Sequence, residues 1–102
     1  MSLLNWQQDD AVLTVQVAGD VADIVDITVP ESLRRQGVAT HLLQQAMAEL
    51  VQQSVKELFL EVRTSNTPAI GLYQKLGAIH VGHRPTYYTN PTEDADVYKI
   101  TL

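Results

Sequence analysis

Glu57-Leu58-Phe59-Leu60-Glu61-Val62-Arg63 runs directly into Thr64-Ser65-Asn66-Thr67-Pro68-Ala69-Ile70-Gly71-Leu72-Tyr73-Gln74-Lys75-Leu76-Gly77, and two periodicities meet in that segment. In the first seven residues Leu58, Leu60 and Val62 alternate with Phe59, Glu61 and Arg63, the period of two that marks a strand. The pattern then changes. Thr67 suits a helix cap, Pro68 its first position and Gly77 its left-handed end, with Ala69, Ile70, Leu72, Tyr73 and Leu76 populating the turns.

Upstream, Val38, Leu42, Leu43, Ala46, Met47, Leu50 and Val51 fall at helical spacing, and Gln44, Gln45, Glu49 and Gln52 take the other face. Before that helix, Ala11–Ala18 reads as a strand ending at the turn signal Gly19-Asp20, and Val21–Val29 alternates as its hairpin partner until Pro30 stops it. Leu3–Gln7 reads as a further edge strand. Downstream, Ala78–His83 and Asp96–Leu102 read as strands joined through Arg84–Ala95, which carries Pro85, Asn90 and Pro91. The order is β-β-β-α-β-α-β-β, an α/β (α+β) pattern. A chain of 102 residues suits a single domain spanning 1–102.

Seven Lys+Arg against twelve Asp+Glu leave a net charge of −5 with no basic cluster, so the electrostatic drive toward nucleic acid is missing. No apolar run nears the roughly 18 residues of a membrane span. With no cysteine there is no disulfide, thiolate metal site or cysteine nucleophile. The first ten residues lack the basic start and apolar stretch of a secretory signal, which makes the cytoplasm the expected location. His80-x-x-His83 invites a metal reading, but no third ligand is marked, and no metal is expected.

Arg34-Arg35-Gln36-Gly37-Val38-Ala39-Thr40 joins a strand end to the long helix. A helix N-terminus presents unpaired N–H groups and a partial positive charge, and small residues at Gly37 and Ala39 let a pyrophosphate approach that backbone. A plain turn is the alternative. The lysine-hydroxyl pair of a P-loop and the Gly-x-Gly-x-x-Gly of dinucleotide folds are both absent.

Arg34-x-x-Gly37-x-Ala39 matches the acetyl-CoA signature of the GNAT superfamily. Leu60–Asn66 with Ala69–Tyr73 and Leu76-Gly77, then Arg84, Tyr87-Tyr88 and Glu93-Asp94-Ala95, resemble the ribosomal-protein-alanine acetyltransferase (RimI) group of that superfamily. The resemblance runs from about Val21 to Leu102. It implies a mixed, mostly antiparallel sheet with two helices, splayed where acetyl-CoA inserts its pantetheine arm, and transfer of the acetyl group to an N-terminal α-amine.

By the same resemblance, the backbone of Ile27, Thr28 and Val29 pairs with the pantetheine and acetyl carbonyl. Arg34, Arg35, Gln36, Gly37, Val38, Ala39 and Thr40 hold the pyrophosphate, and Asn66 bonds the pantetheine amide unless it caps the helix. Glu61 is the candidate general base, because desolvation among apolar neighbours would favour a pKa useful at neutral pH; the competing reading is an ion pair with Arg63. Tyr73 is the candidate general acid and cofactor contact, against plain core packing. Tyr87 and Tyr88 line the acceptor channel, against packing across a hairpin.

Two departures stand out. The group opens with a strand and two helices that wall the acceptor groove, and the first twenty residues leave no room for them. Where the group carries Phe after Leu-Gly, this chain has Ala78. A homodimer that fills both deficits is expected. The partners expected are acetyl-CoA and a protein or peptide N-terminus. The competing functions are acetylation of a small amine and a non-catalytic acetyl-CoA-binding or protein-interaction module.

Overall fold

In a computed structural model that describes all 102 residues, the chain divides into two units, Met1–Leu58 with Leu102 and Phe59–Thr101. The first begins with three antiparallel strands, β1 (Ser2–Gln8), β2 (Ala11–Ala18) and β3 (Val21–Thr28), each paired with the next. Two-residue turns join them. Gly19, at φ 64, takes the left-handed conformation that a tight hairpin requires and that costs glycine little. Alternation puts Ala11, Leu13 and Val15 on a fully buried face of β2.

Helix α1 (Val38–Gln52) covers β1 and β2. Its buried stripe of Val38, Leu42, Leu43, Ala46 and Leu50 is the one that the helical spacing predicts. Each fully buried leucine there contributes roughly 1.5–3 kcal/mol over its exposed state. The unit ends where the Lys56 N–H donates to the Asp20 carbonyl (2.7 Å) and the Leu102 N–H to the Lys56 carbonyl (2.9 Å).

In the second unit, β4 (Glu57–Arg63) supplies its residues from Phe59 on, followed by α2 (Thr67–Lys75), β5 (Ile79–Tyr88) and β6 (Glu93–Thr101), with β6 between β4 and β5. The alternation read from sequence holds: Leu60 and Val62 are buried, while Phe59, Glu61 and Arg63 are half-buried on the opposite face. Tyr73, Ala78, Ala95, Tyr98 and Ile100 complete this unit's buried set. The six strands and two helices follow the expected order, and the strand pairs of known register are antiparallel.

Two differences from the sequence reading bear on the site. Asn66, not Thr67, caps α2: its Oδ1 accepts the Ala69 N–H (3.3 Å), and Thr67 is already helical. The expected connection Arg84–Ala95 is mostly strand, with only 89–92 left as the turn. Pro85 escapes the usual ban on proline in a strand because the ladder is broken there. Arg84 opposes Ala95 and Tyr88 opposes Glu93, so the three residues 85–87 face Asp94 alone, and Thr86 adopts φ 52. The Asp94 carboxylate accepts the Thr86 N–H released by this bulge (2.7 Å).

Candidate functional site

Glu61 projects from the half-buried face of β4, and two groups from β5 hold it by different oxygens. The Tyr87 hydroxyl donates to Oε2 (3.1 Å) and the Arg84 Nε lies 3.5 Å from Oε1. In an unbroken strand, residues 84 and 87 would point to opposite faces. The bulge at 85–87 turns both toward one carboxylate. The Arg84 guanidinium also sits 5.5 Å from the centre of the Tyr87 ring.

Arg63, two residues along β4, does not pair with Glu61, which removes the ion pair that competed for that carboxylate. It donates instead to the carbonyls of Pro91 (2.9 Å) and Thr89 (3.2 Å) and to Glu93 (3.3 Å), and stacks 4.5 Å from the Tyr88 ring centre. Glu93 also accepts the Ser65 N–H (2.8 Å) and the Thr64 hydroxyl (3.1 Å). The Ser65 bonds come first in holding the Glu93 carboxyl below its ordinary range, and Arg63 and Thr64 add to them. The β5–β6 turn is thereby fastened to the end of β4.

Tyr73 on α2 is 4 % exposed. Burial, helped by the neighbouring Tyr88, pushes its phenol up to about 12, so it stays protonated at every physiological pH. Tyr87 and Tyr88 meet edge to face at 5.0 Å. Both phenols are raised, Tyr87 first by its bond to Glu61 and Tyr88 first by burial. Glu61 thus meets Arg84 and the Tyr87 phenol, with Tyr88 against Tyr87 and Tyr73 neighbouring Tyr88, a set suited to moving a proton and donating hydrogen bonds to developing negative charge.

The predicted anion-binding turn lies in the first unit. Ile27 and Thr28 end β3, Val29 follows, and a 3-10 turn at Glu31–Leu33 leads to Arg34–Gly37. Arg34 Nε donates to the Val29 carbonyl (3.0 Å) and Gln36 to the Ser32 carbonyl (2.8 Å), which shapes the turn. Gly37 is the cap of α1 at φ 75, and no side chain bonds the helix's first N–H groups, which begin at Val38, Ala39 and Thr40. A Cβ built on Gly37 meets nothing within 4 Å, so the turn opens onto free space. Strand β3 carries a bulge just before Ile27: Thr14 pairs with Asp26 and Val15 with Ile24, leaving Val25 unopposed. Asn66 commits its Oδ1 to the helix cap, as the alternative reading had it.

Sequence reasoning assigned no role to Arg84, Glu93, Asp94 or Asp96. His80 and His83 converge on Asp96 Oδ1 (2.9 and 3.2 Å), and His83 also reaches Asp94 (2.9 Å). They share a face because Val81 is a second extra residue: His80 opposes Tyr98, but Gly82 opposes Val97. Asp96 first and Asp94 second raise His83 above 6.5. Asp94 and Asp96 are lowered from 3.8, Asp94 chiefly by the Thr86 N–H and Asp96 chiefly by His80. A raised histidine contributes stability below 6.5 that is lost as pH climbs through its folded value, and a lowered aspartate loses its contribution as pH falls below 3.8. The melting-temperature difference between the parent and His83→Gln should therefore be greatest between those limits and shrink by pH 8.5; a difference independent of pH would refute this.

Residues 2–78 match the model of the acetyltransferase (GNAT) family. The chain is 38 % identical over 89 residues to the [ribosomal protein bS18]-alanine N-acetyltransferase of Escherichia coli K12, an alignment covering 85 % of this chain and 60 % of that one. It is 45 % identical over 73 residues to an N-alpha-acetyltransferase of Sulfurisphaera tokodaii, with coverage of 71 % and 43 %. The chain thus spans less than two thirds of the length of either relative. The crystal structure of the ribosomal-protein-S18-alanine N-acetyltransferase from Escherichia coli superposes with a TM-score of 0.90 at 36 % identity, covering 98 % of this chain and 69 % of that one.

Proposed function

Because the chain belongs to the GNAT acetyltransferase family, we propose that it is a single acetyltransferase domain that moves an acetyl group from acetyl-CoA to the N-terminal α-amine of a protein, a ribosomal protein in the first instance. The observation that carries this reading is the Glu61 carboxylate set against Tyr87 and Arg84 in a chain 38 % identical to an enzyme with that substrate. Acetyl-CoA, when bound, supplies an activated thioester.

The chain's own residues have separable tasks. The backbone of Ile27, Thr28 and Val29 would hold the pantetheine. The turn from Arg34 through Arg35, Gln36 and Gly37 to Val38, Ala39 and Thr40 receives the pyrophosphate on its uncapped amides. Glu61 takes the proton from the acceptor ammonium, since only the neutral amine attacks a thioester. Tyr87 and Tyr88 flank the acceptor, and Tyr73 donates to the departing sulfur.

A ribosomal acceptor places the reaction in the cytoplasm. Ile79 and Val81 of β5, 57 % and 45 % exposed, offer apolar surface for a homodimer. Sedimentation of a single monomeric species at micromolar concentration would remove the dimer from this reading.

Acetyl-CoA at a hundred times its Kd should raise native stability by about 2.7 kcal/mol, readable as a higher melting temperature, and an alanine-initiated peptide should then release free CoA. An unmoved melting temperature together with no CoA release would overturn the assignment.

A further inference from the structure

We propose that Tyr87 is a catalytic residue, the relay through which the acceptor ammonium passes its proton to Glu61. This rests on the acetyl-transfer reading and deepens it, because there Tyr87 only flanks the acceptor.

The Glu61 side chain is 24 % exposed and presents its two oxygens to β5, Oε1 toward Arg84 and Oε2 toward the Tyr87 hydroxyl. Tyr87 is 46 % exposed against 24 % for the Glu61 side chain, so of the hydrogen-bonded pair the phenol is the one more open to an incoming amine. A phenol that donates its hydrogen to a carboxylate keeps lone pairs free to accept another. An ammonium docked on the Tyr87 oxygen would complete a chain from N–H to Oη–H to Oε2.

The step balances. One N–H bond of the ammonium breaks as its proton joins Tyr87 Oη, while the original Oη–H proton moves to Glu61 Oε2. The amine becomes neutral with its lone pair free to attack, Glu61 becomes a neutral acid, and Tyr87 ends as it began. No free tyrosinate forms, in keeping with a phenol held above its ordinary range by its bond to Glu61. Arg84 stays on Oε1 and keeps the carboxylate aimed. Arg63 and Glu93, the other charged groups at this end of β4, are committed to each other and to the β5–β6 turn.

The test is a double-mutant cycle with Tyr87→Phe and Glu61→Gln, reading kcat and KM for acetyl transfer to an alanine-initiated peptide at pH 7 and pH 9. Tyr87→Phe keeps the ring and removes only the hydroxyl of a half-exposed residue. A relay predicts a fall of about 10²-fold in kcat at pH 7 with KM little changed, a smaller fall at pH 9, and a double variant no worse than Glu61→Gln alone. Losses that multiply, or a Tyr87→Phe defect confined to KM and equal at both pH values, would overturn the relay and leave the acetyl-transfer reading intact. A parent protein that acetylates no peptide or amine under conditions where the Escherichia coli relative is active would overturn both.

Discussion

Glu61→Gln is expected to lower kcat/KM for peptide acetylation by about 10²- to 10⁴-fold at pH 7, the span typical of a positioned acid or base. The amide keeps an oxygen that can accept from Tyr87, so the local fold survives and only proton uptake is lost. Raising the pH supplies neutral amine from solution, and the size of the rescue identifies the acceptor. An α-amine with a pKa near 7.7–8.0 is already roughly a tenth neutral at pH 7, so the variant can regain less than about tenfold. A lysine-like amine with a pKa of about 10.4 would allow nearly a hundredfold between pH 7 and pH 9. Parent-like rates in the variant at both pH values would remove Glu61 from the chemistry.

Tyr73→Phe is expected to lower kcat by roughly 10²- to 10³-fold at every pH, with acetyl-CoA affinity nearly unchanged, because one donor to a developing anion is lost. A phenol pushed up to about 12 is a poor source of a fully transferred proton toward a thiolate whose conjugate thiol, like that of cysteine, has a pKa near 8.5. It is a good hydrogen-bond donor that never ionises, so its contribution should show no pH dependence, unlike that of Glu61. Calorimetric titration with CoA and single-turnover rates on folded protein distinguish this from core damage. Intact binding with an unchanged rate would return Tyr73 to a packing role.

Local periodicity made most of the fold readable. The faces of β4 and α1 follow from which side chains recur every second or every third to fourth residue, and burial then decides the rest. The cap of α2 was misplaced by one position because Asn66 and Thr67 are both good capping residues, and only the bond to Ala69 separates them. Glu61, Tyr73, Tyr87 and Tyr88 became candidates through family resemblance, but the partners they have in the structure were not legible. Arg63 finds Glu93 thirty residues away, and Arg84 finds Glu61 across a proline-containing stretch that reads as a loop. Two bulges, at Val81 and at 85–87, undo the alternation from which facing would be counted, so no rule of spacing places His80 with His83 or Arg84 with Tyr87.

The second of these bulges makes chain length a chemical variable. Arg84 and Tyr88 are anchored opposite Ala95 and Glu93, and the number of residues between them sets how Tyr87 is turned toward Glu61. Deleting one residue there would change which side chain between the two anchors is turned toward Glu61, although every candidate catalytic side chain would still be present. Substitutions at Pro85 and Thr86 should accordingly be better tolerated than any insertion or deletion between them, and homologues of the same composition but different spacing in this segment need not share its proton path.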